Sequence, residues 1–192
     1  MKRFLLSLGD SYRKKKHAFL FWLHGQNGCV TKEGSLWLNV PLRCDGLGLV
    51  RLGADVGIGW RPAPMLGDGM VRLQARPPEA RITVGAGTYF SNNVQVIAET
   101  QVRIGAKCLI GDAVLIMDSD GHNLTAGRRH QGPCLTGEII IEDNVFIGSR
   151  VVILKGVTIG KDSVIGAGSV VVRSIPPGVI AAGNPAKVLR PL

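Results

Sequence analysis

The sequence predicts an all-β fold, a coil of short strands stacked on itself, and three observations predict it. From Ile141 to Val171 the chain divides into six-residue units opening at Ile141, Ile147, Ile153, Ile159, Ile165 and Val171, with no slip. The second place of these units is often glycine (Gly148, Gly160, Gly166), and the fifth is small or β-branched (Val145, Val151, Val157, Ser163, Ser169, Ile175). The composition agrees, since 26 glycines and only 5% aromatic residues suit a coil of small aliphatics better than a compact α/β core. A period of six fits neither an amphipathic helix nor a plainly alternating strand. It fits a solenoid whose unit is one short strand plus a corner, with the opening aliphatic pointing inward onto its equivalent one coil away. Strands of successive coils then lie about 4.8 Å apart, and glycine suits the corners because it reaches backbone angles that a Cβ forbids.

At 192 residues the chain has room for one domain with a short appendage. Residues 1–34 read as that appendage. Two apolar patches, Phe4-Leu5-Leu6 and Ala18 to Leu23, surround the basic cluster Arg13-Lys14-Lys15-Lys16-His17. The second patch falls far short of the ~20 apolar residues that cross a bilayer, and no small-residue cleavage site follows it. Two readings remain for the segment: a helix capping the apolar end of the coil, or a basic, Trp-containing surface that lies in a membrane interface.

Residues 35–192 read as the coil itself. Early pieces (Leu36-Trp37-Leu38, Leu47 to Leu52, Ile58) carry the repeat irregularly, with Pro62 and Pro64 interrupting. The register is regained at Val84-Gly85 and runs through Phe90, Val96 and Val102. Two residues are then inserted, and it restarts at Ile104, Ile110 and Ile116. Between Ile116 and Ile141 the pattern fails over a loop at 117–140, and a long non-repeating loop ejected from a regular solenoid is where function is expected. Pro176-Pro177 ends the strand pairing, and a tail, 179–192, follows.

The formal net charge of +9 implies an anionic partner: a phosphorylated cofactor, a membrane surface or nucleic acid. No recognition helix or basic/aromatic interleaving supports nucleic acid. Cys29, Cys44, Cys108 and Cys134 form no CxxC or Cys/His pattern, so they read as buried or stray thiols in a reducing cytosol, with no metal.

With the repeat, the loop histidine at DSDGHNL and the stretch IGAGSVVVRSIPPGVIAAGNPAKVLR in hand, the chain resembles the hexapeptide-repeat acyltransferases. The likeness is to the branch holding the galactoside and maltose O-acetyltransferases and the bacterial surface-polysaccharide acetyltransferases. It covers Val84 to Leu192 well and Leu36 to Arg81 loosely. The resemblance implies a left-handed parallel β-helix, assembled as a homotrimer, using acetyl-CoA as acyl donor and no metal. The cysteine reading makes the expected location cytoplasmic, and the membrane-interface reading of the N-terminal segment puts it at the inner face of the membrane.

The family's catalytic residue is a histidine on the extended loop, and His122 matches it. A sugar hydroxyl is a poor nucleophile while it keeps its proton, and imidazole can take that proton and hand one to the leaving thiolate. Asp118 and Asp120, four and two residues earlier, are the candidates for fixing the histidine tautomer, and the sequence does not choose between them. Members of the galactoside type also carry an acceptor-binding asparagine ahead of the histidine. Asn93 is taken for that place, with Ser91 as the other candidate. The resemblance puts the pantetheine arm of the donor against the backbone of Gly148-Ser149 and Ala167-Gly168, where an N–H can also face the developing oxyanion. It puts Arg173, Lys187 and Arg190 on the nucleotide phosphates. Val172-Arg173 stands where galactoside-type members have Thr-Lys, so one hydroxyl contact is missing.

The leading expectation is therefore an O-acetyltransferase acting on a sugar, a nucleotide sugar or a lipid-linked glycan in surface-polysaccharide assembly. An N-acetyltransferase of a nucleotide-linked amino sugar is the second reading, and a non-catalytic scaffold the third. A zinc hydrolase of the carbonic-anhydrase kind needs three converging histidines, and only His122 and His130 lie in the repeat region.

Overall fold

The computed structural model describes residues 12, 15–21, 29–60 and 69–192. Three parallel sheets form the walls of a prism. Sheet A stacks β1 (Val30–Lys32), β4 (Leu49–Leu52), β7 (Arg81–Val84), β10 (Gln101–Ile104), β13 (Ile139–Ile141) and β16 (Thr158–Ile159). Sheet B stacks β2 (Leu36–Leu38), β5 (Val56–Ile58), β8 (Tyr89–Phe90), β11 (Leu109–Ile110), β14 (Phe146–Ile147), β17 (Val164–Ile165), β19 (Val179–Gly183) and β20 (Ala186–Pro191). Sheet C stacks β3 (Leu42–Gly46), β6 (Val71–Ala75), β9 (Gln95–Ala98), β12 (Leu115–Met117), β15 (Val152–Leu154) and β18 (Val170–Val171). The chain visits A, B and C in turn, so each coil is three strands and three corners.

The unit openers do what the period requires. Ile141, Ile147, Ile153, Ile159, Ile165 and Val171 are all at most 1% exposed. Ile141 pairs with Ile159, and Ile147 with Ile165, one coil on. The early part is in the same coil: Leu52 and Ile58 are fully buried on β4 and β5. Sheet A begins at Val30, inside the segment read as an appendage, because Val30 to Lys32 pair with Val50 to Leu52. Of the remaining N-terminal segment, the helical residues 15–21 bury His17 and pack Phe21 against the core. The other residues of the two apolar patches lie outside the described residues, apart from Ala18, Phe19 and Leu20.

Two details differ from the sequence reading. The apparent insertion after Val102 is a longer strand with two inward residues, Val102 opposite Ile82 and Ile104 opposite Val84. From Gly85 onward the second-place glycines are there for space, not for their backbone angles. A Cβ on Gly111 would lie 2.6 Å from the Ser149 nitrogen, and one on Gly148 would lie 2.6 Å from the Ala167 nitrogen. The left-handed backbone falls two places later, in the fourth position, at Asn93, Lys107, Ala113, Asn144, Arg150 and Asp162, with φ between 54° and 61°. Asn and Asp tolerate that region, whereas Lys, Ala and Arg adopt it at a cost that the stacking offsets.

Cys29, Cys44 and Cys108 are buried free thiols, and Cys134 is partly exposed. Burial pushes the Cys44 thiol well above its ordinary range, with Cys29 and Asp45 adding to the effect. Burial likewise raises Cys108. Among the described residues no helix is long and apolar enough to cross a membrane.

Candidate active site

The corner between sheets B and C carries a cavity of about 730 Å³. Because Gly111 and Gly148 admit the neighbouring backbone so closely, polar residues from three stacked coils line it: Ser91, Asp112 and Ser149. Backbone bonds fix the stack: Ala113 N–H donates to the Asn92 carbonyl and Arg150 N–H to the Asp112 carbonyl. Beside them runs a column of outward side chains on sheet B, Tyr89, Leu109 and Phe146, paired in register. Trp60 completes the apolar wall. Tyr89 lies flat over β5 because position 57 is glycine; a Cβ there would sit 2.1 Å from its ring.

Asn93 does not itself line the cavity. Its Nδ2 donates to Asp112 Oδ1 at 3.4 Å, while Ser91 and Asp112 form the wall. Of the residues expected on the donor, Gly148-Ser149 and Ala167-Gly168 share this corner on adjacent coils, with Gly168 N–H donating to the Ser149 carbonyl at 2.9 Å. Gly148 N–H donates to the Ile165 carbonyl, so the ladder already uses both glycine donors. Among the described residues, the N–H groups of Ser149 and Ala167 have no such acceptor. Lys187 joins the same corner: it pairs with Ala182, whose Cβ would lie 2.8 Å from a Cβ on Gly166. Arg190 pairs with Ile180, towards the other end of β19, and Arg173 follows β18 on the corner between sheets C and A. One chain therefore brings Lys187 to the corner but not Arg173.

His122 stands on the loop that leaves the C–A corner. An antiparallel bridge between Ser119 and Thr136 closes the loop's base, and Lys155 of the next coil ion-pairs with Asp120. Neither aspartate contacts the histidine. Asp118 is fully buried and accepts from the N–H groups of Glu99, Thr100 and Gln101 and from the Thr100 hydroxyl, at 2.7–2.9 Å. It holds the corner between β9 and β10. What orients His122 is a backbone group that the sequence did not point to: the Arg129 carbonyl lies 3.2 Å from Nδ1. The His130 ring meets His122 edge-on, with centroids 6.2 Å apart. The apolar wall and Asp112 were also missed. The one available signal was a large apolar residue just before three successive unit openers on sheet B (Tyr89, Leu109, Phe146).

Residues 138–173 match the family model described as the hexapeptide repeat of succinyl-transferase. A galactoside O-acetyltransferase of Escherichia coli K12 is 42% identical over 111 residues, covering 58% of this chain and 54% of that one. A hexapeptide-repeat acetyltransferase from Vibrio cholerae, solved with acetyl coenzyme A, superposes with a TM-score of 0.61 at 27% identity, covering 91% of this chain and 77% of that one. A galactoside acetyltransferase solved with coenzyme A gives 0.60 at 26% identity, covering 95% and 82%. Over these stretches the chain is similar to the hexapeptide-repeat acetyltransferases. Its coil has the fold of those structures, a left-handed parallel β-helix. The chain spans about half the length of the curated relatives it matches. Among the described residues, no cluster of His, Cys, Asp and Glu is arranged to hold a metal ion.

Proposed function

We propose that this protein transfers an acetyl group from acetyl-CoA to a sugar hydroxyl, with His122 as general base, in the assembly of a surface polysaccharide. The observation that carries the reading is the contact between His122 Nδ1 and the Arg129 carbonyl. A carbonyl only accepts, so the proton of a neutral ring bonded to it sits on Nδ1, and Nε2 keeps its lone pair. Nε2 then takes the proton of the acceptor hydroxyl as its oxygen attacks the thioester carbonyl, and returns a proton to the departing thiolate. The N–H groups of Ser149 and Ala167 are the donors placed for the acyl oxygen as its negative charge develops. The corner fits the donor: a neutral backbone wall for the arm, then Lys187 for a phosphate.

The reading includes a homotrimer. His122 leaves the C–A corner while the cavity occupies the B–C corner, and among the described residues no loop residue lines the cavity. A second copy that sets its loop against the first copy's cavity completes the site, and an Arg173 from one copy then shares a groove with Lys187 from another. The polysaccharide role draws support from the names of two fold neighbours, a polysialic-acid-specific and a polysialic acid O-acetyltransferase, whose likeness at 22% and 21% identity is one of fold alone.

The test is thiol release from acetyl-CoA, wild type beside His122→Ala, against simple sugars, nucleotide sugars and lipid-linked glycans. The variant is expected to keep coenzyme A affinity and lose a factor of about 10²–10⁴ in turnover. Equal turnover in the two proteins sinks the catalytic assignment. Absence of coenzyme A binding sinks the transferase and favours a scaffold.

A further inference from the structure

The cavity has a sign that the rest of the chain does not. The protein's formal net charge is +9, yet the one charged residue lining the cavity, among those described, is Asp112. Its neighbours there are Trp60, Tyr89, Leu109, Phe146 and two serines. Asp112 is 7% exposed, and its Oδ1 receives a single long bond, from Asn93 Nδ2 at 3.4 Å. A carboxylate set among apolar walls is stable only with donors, and it repels a second anion brought beside it. Two kinds of sugar offer donors: one with hydroxyls only, and one with an ammonium. Here the chemistry of acetyl transfer decides, because a neighbouring carboxylate favours the charged form of an amine and so removes the lone pair that must attack. A hydroxyl has no such protonated state to be trapped in. The flat faces of Tyr89, Phe146 and Trp60 suit the C–H face of a pyranose ring or an apolar aglycone.

We propose that Asp112 is a specificity-determining residue of the acceptor site, accepting a hydroxyl hydrogen bond from an uncharged sugar and shutting out acceptors that carry a carboxylate. The proposal rests on the sugar-acceptor reading above and names the class of sugar within it.

The experiment measures calorimetric affinity of the coenzyme A-loaded protein for three probes: 4-nitrophenyl β-D-glucoside, the matching glucuronide and the matching 2-amino-2-deoxyglucoside. The first two differ only in a hydroxymethyl against a carboxylate. Wild type is expected to bind the glucoside at least about tenfold more tightly than the glucuronide, and Asp112→Asn to bring the pair within about threefold. Asparagine keeps an oxygen for the Asn93 bond, so thermal midpoint and coenzyme A affinity stay where they are, which a purely structural role would not allow. The proposal is overturned by equal binding of glucoside and glucuronide to wild type, by an unchanged ratio in the variant, by tighter binding of the amino sugar than of the glucoside, or by no binding of any probe. Thiol release from acetyl-CoA, measured with the same proteins and probes, separates the two readings. Discrimination without release removes the transferase and leaves Asp112 as a selector of neutral sugars, and release without discrimination does the reverse.

Discussion

Four donors converge on the carboxylate of Asp118, three of them backbone N–H groups that turn the corner between β9 and β10. Replacing it leaves those groups without their acceptor, the costly side of hydrogen-bond energetics. Asp118→Ala is expected to lower unfolding free energy by about 3 kcal/mol, read from urea midpoints. A loss below about 1 kcal/mol would mean that the corner keeps its shape unaided. The spacing D-x-D-x-H was legible in the sequence, and so was the histidine. Which group steadies that histidine was not, because the partner is the main-chain carbonyl of Arg129, and a carbonyl leaves no mark in a list of side chains. Asp112 was illegible for a related reason: in sequence it looks like any corner residue, and only the stacked coils place it opposite Asn93.

The loop that carries His122 is held at its stalk. Ser119 and Thr136 bridge at the base, and Lys155 reaches from the following coil to Asp120. The pair is part-exposed, at 30% and 18%, so it adds little to global stability. It fixes where the loop starts. Lys155→Ala is expected to shift unfolding free energy by less than about 1 kcal/mol and to lower turnover about tenfold through a misplaced base. Steady-state kinetics beside a denaturation curve checks both, and wild-type turnover in the variant would show that the loop holds its place without the tether. At this scale the repeat was readable because an inward aliphatic every six residues has one geometric meaning. The role of the corner glycines was misread because close packing and a left-handed backbone both select glycine, and the composition of a unit does not say which is at work. The fold separates them by two places, as at Gly148 and Arg150.

On the scale of the molecule, the proposed role of His122 requires a second copy, because His122 and the cavity stand on different corners of one chain. Sedimentation equilibrium is expected to give a particle of three times the 20.5 kDa chain mass, with activity falling on dilution into monomers. Full activity from a monomeric species would overturn the shared-site arrangement. Tyr89, Leu109 and Phe146 stay between 37% and 51% exposed on one chain, which suits a wall that meets something else. That wall was hidden in the sequence because its members come from different coils and adjoin only once the coils are stacked.

Sheet B alone runs on past the last coil, and it does so by turning back. β19 follows β17 in parallel, and β20 then pairs with β19 in the opposite sense. A stack of like turns has no built-in length, since each new turn offers the edge on which another can be laid. The reversed strand withdraws that offer on one wall of the prism. Lengthening by duplication is thereby steered to positions before Val179 and to whole turns, three units at a time. A copy laid beyond β20 would meet a neighbour running the wrong way.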